Sequence, residues 1–357
     1  MAKTSGLRLY AFTIPGLERI AAAEARQRLA KVRIEGERPG RVLFTHRGDP
    51  RPVLELGTVE DVFALIGQGP VSGEQEGLEQ ALAMVRDSSL WEAALGAHHL
   101  LRPRQVHRVT FRVVTQRPHG EHTYTRRALQ KWVIEGIEAR FPRWHWVAEN
   151  ALLEVWVLQD GDEFLCGVRL SDRTMRHRKY KQVSVEASLR PVVARAMVVL
   201  SEPRDSDLFL DPMCGAGTIL IERGEHGRYG QLLGGDIDPQ AVAAARTNVG
   251  PRYQPIEIRE WDATALPLPD ASVTRVVCNL PFGHKIGSAK ILPGLYRGFL
   301  AETVRVLRPG GIAVLLTGER GVLERVSKAC PVLRPDGVVP VVVLGRGAYI
   351  MTFRRTP

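Results

Sequence analysis

Three successive strand-like runs in the second half of the chain stop at or beside a carboxylate, and each leads into a turn or a helical run. "LFLD" ends at Asp211, "LLGGDID" carries Asp236 and Asp238, and "IEIREWD" ends at Asp262. A fourth, "VTRVVCNL", gives way to Asn279-Leu280-Pro281-Phe282-Gly283. Parallel neighbours need a long, usually helical crossover, so this alternation predicts a doubly wound parallel sheet covered on both faces. In such a sheet ligands bind outside the carboxyl ends of the strands. The polar strand ends therefore line the predicted binding edge. A helix over "EASLRPVVARAMVVL" opens this region, and the hairpin "VPVVVLGRGAYIMTFRR" closes it.

The turn after the first strand, "DPMCGAGT", narrows the ligand. Gly215 and Gly217 admit a backbone approach that a Cβ would block, and Asp211 places a negative charge at the head of the loop. A dinucleotide site instead offers its helix N-terminus to pyrophosphate. Leu220 stands where G-x-G-x-x-G needs its third glycine, and no G-K-[ST] is present. An acid there suits a cationic group such as an amino-acid ammonium. Asp236, nineteen residues beyond Gly217, is placed to accept from a ribose diol, and Asp238 before Pro239 reads as a helix N-cap. Asp262 can accept from an exocyclic adenine amine, with the Ala263 N–H meeting a ring nitrogen. Adenosine joined to an amino acid fits all three strand ends, which names S-adenosylmethionine as the expected cofactor.

The ordered series DPMCGAGT, GGDIDP, WDA and NLPFG resembles the motif ladder of class I methyltransferases over Val185 to Pro357. The resemblance implies a Rossmann-like α/β domain in which Ser188, Asp211, Cys214, Gly215, Gly217, Thr218, Asp236, Ile237, Asp262, Ala263 and Asn279 surround the cofactor. Enzymes of that kind carry [N/D]-P-P-[Y/F] in the fourth turn and methylate exocyclic or amide nitrogens; here Leu280 replaces the first proline. A guanine N2 amine loses its lone pair to the ring, so an enzyme must hold both N–H bonds. The Asn279 oxygen and the Leu280 carbonyl are suited to accept them. Pro281 fixes the turn and removes a competing donor, and Phe282 is suited to stack on the base. These four residues form the expected catalytic group.

The first half of the chain alternates short strands and helices without the parallel pattern. "RLYAFTIPGLERIAAAEARQRL", the hairpin "VRIEG"/"RVLFTH" and "VFALIG" make one expected α+β unit, residues 1–69. A helix over "GLEQALAMVRDSSLWEAAL", the strand "HRVTFRVVTQ", the helix "TRRALQKWVIEGIEARF" and the hairpin "LLEVWVLQDGDEFLCGVRL" make a second, residues 70–168. "RLSDRTMRHRKYK" holds six Arg or Lys against one Asp and reads as a solvated basic linker, assigned to residues 169–184, ahead of the methyltransferase domain at 185–357. The two α+β units resemble the N-terminal ferredoxin-like and THUMP domains of tRNA-modifying enzymes, which implies a hold on the acceptor end of tRNA.

A formal net charge of +10 agrees with an anionic partner. The expected phosphate contacts are Arg112, Arg117, Arg126, Arg127, Arg173, Arg176, Arg178, Lys179, Lys181 and Lys285. As a whole the sequence resembles the THUMP-containing tRNA guanine-N2 methyltransferases, and NLPFG favours those acting on guanosine 6 over those acting at position 10. Ribosomal RNA, DNA or a protein amide as substrate remain alternatives, as does a non-catalytic RNA-binding protein with a decayed site. The four cysteines are widely spaced with no C-x-x-C, so no metal is expected. No run approaches a membrane span, and the start lacks a secretory h-region, so a cytoplasmic protein without membrane attachment is expected; a monomer is expected because two RNA-binding units already sit on one chain.

Overall fold

The computed structural model describes residues 6–103, 108–185, 188–282, 291–343 and 345–357. Two compact units result. The first comprises Met1–Phe12, Ala25–Leu56 and Asp61–Met175, and the second Thr13–Glu24, Gly57–Glu60 and Arg176–Pro357.

The first unit is built on one sheet of eight strands: β1 (Leu7–Phe12), β2 (Val32–Arg38), β3 (Arg41–His46), β4 (Asp61–Pro70), β5 (Thr110–Gln116), β6 (His145–Trp146), β7 (Leu153–Asp160) and β8 (Glu163–Arg169). Their order is β2-β3-β1-β4-β8-β7-β5-β6. The expected boundary near residue 69 does not divide the sheet, because β4 pairs antiparallel with β8 from Phe63↔Arg169 to Pro70↔Glu163. The helix α1 (Glu18–Arg28) follows β1. The single helix expected over 77–95 is two, α2 (Glu76–Arg86) and α3 (Trp91–Leu101). Ser88 separates them: its hydroxyl donates to the Ile66 carbonyl and accepts from the Leu90 N–H, so it competes with helical bonding at that point. The helix α4 (Arg126–Arg140) is capped by Thr125, whose hydroxyl accepts from the Ala128 N–H.

Among the described residues the second unit carries seven strands, β9 (Leu208–Asp211), β10 (Gln231–Asp236), β11 (Ile256–Glu260), β12 (Val273–Asn279), β13 (Leu307–Thr317), β14 (Leu333–Val343) and β15 (Arg346–Arg355), which follow the short helix α5 (Arg173–Arg176) in the chain. Their order is β11-β10-β9-β12-β13-β15-β14. β9 to β13 run parallel to one another, and the closing hairpin β14–β15 is antiparallel, with β15 also antiparallel to β13. Both faces are buried. Phe209, Leu232, Val277, Val314 and Ile350 belong to one core with α6 (Pro191–Leu200), α7 (Thr218–His226) and α8 (Pro239–Val249). Their neighbours Leu210, Leu233, Val276, Cys278, Leu315 and Met351 belong to the other, with α9 (Leu292–Val306) and α10 (Arg320–Ser327). This period-two alternation with apolar residues on both sides is what a parallel sheet under two helix layers requires. The expected opening helix starts at Pro191, where a residue without an N–H suits the first turn and the residue before it is pushed out of helical geometry.

The basic stretch 169–184 is not a solvated linker. Arg169 lies in β8 and bonds Asp61 Oδ1 at 2.6 Å and Glu154 Oε2 at 3.0 Å. In the second unit Arg176 pairs with Glu60 at 3.7 Å, Arg178 with Glu222 at 3.4 Å, and Lys181 donates to the Leu189 carbonyl at 3.0 Å. Burial depresses the Lys181 ammonium below the usual lysine range. The carboxylates that draw these cations inward come from distant sequence, which composition of the stretch alone cannot register. No helix among the described residues is long and apolar enough to cross a membrane.

Candidate active site

The chain runs from β9 outward through β10 and β11 on one side, and from β12 outward through β13 on the other. β9 and β12 thus flank the point where strand order reverses, and their carboxyl ends carry Asp211 and Asn279. Adjacent pairing of Val276 with Leu210 brings these two ends together.

The loop after β9 is shaped by its glycines and by Asp236. Gly215 and Gly217 have φ of 51° and 78°, where any side chain would be strained, and Gly217 opens α7. Asp236 Oδ2 accepts from the Gly215 N–H at 2.9 Å and Oδ1 from the Asp238 N–H at 3.1 Å. The acid expected to meet a ribose therefore also ties two backbone turns together. Asp238 caps α8 by accepting from the Gln240 N–H at 2.9 Å, as its position before proline predicts. Cys214 is buried, with its N–H on the Gly235 carbonyl at 2.8 Å, and Thr218 is buried as the first residue of α7. Ile237 is 69% exposed, an apolar side chain held in the open beside Asp236.

Asp262 lies two residues beyond β11. Its Oδ1 accepts from both the N–H and the hydroxyl of Thr264, which fixes the turn that carries the buried Ala263. The preceding Trp261 donates its indole N–H to the Pro212 carbonyl at 3.0 Å, binding this strand end to the glycine loop.

Three of the residues expected around the cofactor carry a buried polar atom with no hydrogen-bond partner among the described residues: Asp211 Oδ1, Asn279 Oδ1 and Ser188 Oγ. Buried polar groups in folded proteins are nearly always paired, so an unpaired set at the carboxyl edge marks a place for a polar ligand. Among the described residues, an added Cβ at Gly215 would meet Val185 Cγ2 at 3.8 Å, an ordinary contact. Ser188 is held one turn away by its N–H on the Val185 carbonyl. A molecule with an ammonium for Asp211 and further polar groups for Ser188 and Asn279 fits this donor and acceptor set, as S-adenosylmethionine does.

Burial, reinforced by the nearby Asp236 charge, pushes the Asp211 carboxyl well above the usual range, against a backbone hydrogen bond from Met213 that lowers it. A raised pKa in the folded state means stability that is present below the unfolded value and lost as pH rises through the folded one. Asp211→Asn removes the buried charge. The ligand-free variant is expected to melt at a higher temperature than wild type at pH 8, with the difference shrinking toward pH 4, while its affinity for S-adenosylhomocysteine collapses. Thermal scans and calorimetry at both pH values check this; equal melting at pH 8 contradicts it.

The turn after β12 keeps Leu280 buried, its N–H on the Leu316 carbonyl at 2.9 Å. Pro281 is half-buried. The Phe282 ring is half-buried against the core and lies over Gly318, where an added Cβ would stand 3.0 Å from the ring. It is therefore partly a packing residue, and only its exposed remainder is available to a base. Gly283 and Lys285 lie outside the described residues.

Sequence reading missed Asn248. It is buried on α8, accepts through Oδ1 from the N–H groups of Gln182 and Val183, and donates through Nδ2 to the carbonyls of Val183 and Ala216. One amide thus joins the segment leading to Ser188 with the glycine loop. Its signal was present: Asn248 occupies the apolar stripe of α8 beside Ala244, Ala245 and Val249.

Of the expected phosphate contacts, Arg126, Arg127, Arg173 and Lys179 are exposed. Arg112 is instead paired with Glu154 at 2.9 Å, and Arg117 donates to the Tyr124 carbonyl at 2.8 Å with its guanidinium over the Tyr124 ring. Arg176, Arg178 and Lys181 are turned to the protein partners described above. The sequence reading is corrected for these five, because each already has an internal acceptor.

Residues 178–334 match the model of the UPF0020 family, an RMKL-like methyltransferase domain. Over those residues the chain is similar to that family. It is 31% identical over 261 residues to the mouse protein named tRNA (guanine(6)-N(2))-methyltransferase THUMP3, covering 69% of this chain and 51% of that protein. It is also 31% identical over 218 residues to the tRNA (guanine(6)-N2)-methyltransferase of Thermus thermophilus, covering 60% of this chain and 64% of that one. The chain thus spans about half the length of the mouse relative. The solved structure of TrmN from Thermus thermophilus superposes with a TM-score of 0.78 at 25% identity, over 98% of this chain and 99% of that one. The expected fold is therefore present: a Rossmann-like methyltransferase sheet with a closing hairpin, preceded by an α+β part that the superposition also covers.

Proposed function

We propose that this protein methylates the exocyclic N2 of a guanosine in tRNA, guanosine 6 of the acceptor stem, with S-adenosylmethionine as methyl donor. The observation that carries the reading is the buried Asn279 Oδ1 at the switch point beside Asp211, which has no hydrogen-bond partner among the described residues. An acceptor left without a partner there suits an N–H of the substrate. The names of the mouse and Thermus relatives support the nucleotide.

When bound, the cofactor supplies an electrophilic methyl group on a sulfonium. The protein's part is positioning, which accounts for much of the rate in such transfers. Asp211 and Ser188 hold polar groups of the donor. Asn279 Oδ1 and the Leu280 carbonyl accept the two N–H bonds of the amine, which frees its lone pair. Held in this way, the amine would accept the methyl group and then release one proton without needing a strong base. A stem guanosine shows its N2 in the minor groove, so the base leaves the stem to reach the site. Exposed Arg126, Arg127, Arg173 and Lys179 are the phosphate contacts that this reading retains. We place the enzyme in the cytoplasm, as a monomer.

Nucleoside mass spectrometry on unmodified tRNA transcripts tests the proposal. N2-methylguanosine is expected after incubation with S-adenosylmethionine, and it is expected to vanish when guanosine 6 is replaced by adenosine. A product that survives the replacement keeps the chemistry and discards position 6. No product on any tRNA removes the reading.

A further inference from the structure

We infer that Tyr296 is a positioning residue for the methyl-accepting base, acting through the backbone of the Asn279–Phe282 turn; the inference rests on the function proposed above. Tyr296 lies on α9 and is fully buried. Its phenol oxygen is 2.7 Å from the Pro281 carbonyl oxygen and 3.0 Å from Thr317 Oγ1, and Thr317 Oγ1 is 2.9 Å from the Glu319 N–H.

The direction of every bond in this chain follows from what each group can do. A carbonyl only accepts, so the phenol proton goes to Pro281. Tyr296 then has no proton left for Thr317, and the Thr317 hydroxyl must donate to the phenol oxygen. Its own oxygen is left to accept from the Glu319 N–H. The order is Glu319 N–H to Thr317 O–H to Tyr296 O–H to the Pro281 carbonyl. Burial pushes the Tyr296 phenol up to about 12, so it keeps its proton across the working pH range.

The consequence concerns the two acceptors proposed for the amine. On one side of Leu280 its N–H is tied to the Leu316 carbonyl in β13; on the other the Pro281 carbonyl is tied to Tyr296. Both anchors lead to the end of the same strand, since Thr317 is the last residue of β13. The peptide groups that could swing the Leu280 carbonyl are pinned, and Pro281 has no N–H of its own to redirect it. Tyr296 touches neither cofactor nor base in this arrangement. It fixes where the acceptors point.

The test is Tyr296→Phe, which keeps the ring and removes the hydroxyl, with Thr317→Val breaking the same chain one link away. On tRNA transcript, Tyr296→Phe is expected to lower kcat about 10- to 100-fold, in line with the cost of a small misplacement of reacting groups. The dissociation constant for S-adenosylhomocysteine is expected to stay within about twofold, because Asp211 and the glycine loop are untouched. Thr317→Val is expected to show the same split with a smaller fall in kcat. Active wild-type protein with an equally active Tyr296→Phe overturns the inference alone. Equal losses in turnover and cofactor affinity also overturn it, since that pattern marks general disruption of the site. A wild type that forms no N2-methylguanosine removes the proposed function and this inference with it.

Discussion

Asn279→Ala is expected to reduce turnover on tRNA by about 10²–10³-fold while leaving S-adenosylhomocysteine affinity within a few fold. The magnitude is that of removing one preorganised polar contact at a reacting centre. The asymmetry follows from where the side chain stands. Asn279 ends β12, next to β9 and Asp211, and its Oδ1 has no partner among the described residues. If that oxygen serves the amine, its loss is felt when the amine reacts, and binding of the donor rests on Asp211, Ser188 and the loop at Gly215. Asn279→Asp gives a second reading of the same atom. It keeps the acceptor oxygens but adds a charge near Asp211, whose own carboxyl is already disfavoured as an anion by burial. That variant is expected to lose cofactor affinity as well as turnover. Single-turnover kinetics together with calorimetry separate the two effects, and an Asn279→Ala enzyme with wild-type turnover would falsify the assignment of the turn.

The edge of the second sheet was legible because its information is local. Strand, polar residue, turn and helix follow one another within a dozen residues, so Asp211, Asp236 and Asn279 fall at the ends of β9, β10 and β12 as the alternation predicts. Asp262 shows the limit of that logic. β11 ends at Glu260, and the acid two residues later bonds to Thr264 in its own turn. Asn248 and Tyr296 were hidden for a different reason: each acts on backbone groups far along the chain. Asn248 reaches Val183, 65 residues away, and Tyr296 reaches the Pro281 carbonyl, 15 away. A polar residue on the buried stripe of a helix signals that it needs a partner, but not which group along the chain supplies it. The misreading of the basic stretch has the same origin. Its charge is written in sequence, but the carboxylates that neutralise it, Asp61, Glu60 and Glu222, lie about 40 to 120 residues from it, and ion pairing between buried groups has no periodicity for a sequence pattern to show.

Those carboxylates set the second large effect. Glu222 sits on α7, fully buried; its Oε2 accepts from Arg195 Nε at 2.8 Å and its Oε1 from the Tyr180 hydroxyl at 2.7 Å, with Arg178 Nε at 3.4 Å. Glu24, also fully buried, accepts from the backbone N–H groups of Gly57 and Thr58, and the Arg178 guanidinium donates to the Gly57 carbonyl at 3.0 Å. Arg195 lies on the otherwise apolar α6, packed so tightly that an added Cβ at Gly57 would stand 2.6 Å from its side chain. Within the second unit this network joins residues 13–24 and 57–60 to α6, α7 and the segment at 178–180. Glu222→Ala leaves the Arg195 charge and the Tyr180 hydroxyl buried with their main acceptor gone. Breaking a buried pair from one side costs about 3–5 kcal/mol, which corresponds to a fall in melting temperature of roughly 6–20 °C. Arg178→Glu should lose stability too, because it sets a second carboxylate against Glu222 in the interior. Lys179→Glu, one residue along but exposed, is expected to leave the melting temperature within about 2 °C and instead to weaken tRNA binding in a gel-shift. If Arg178→Glu melts like wild type and only the gel-shift responds, the stretch is a solvated RNA contact after all and the buried network does not hold the unit together.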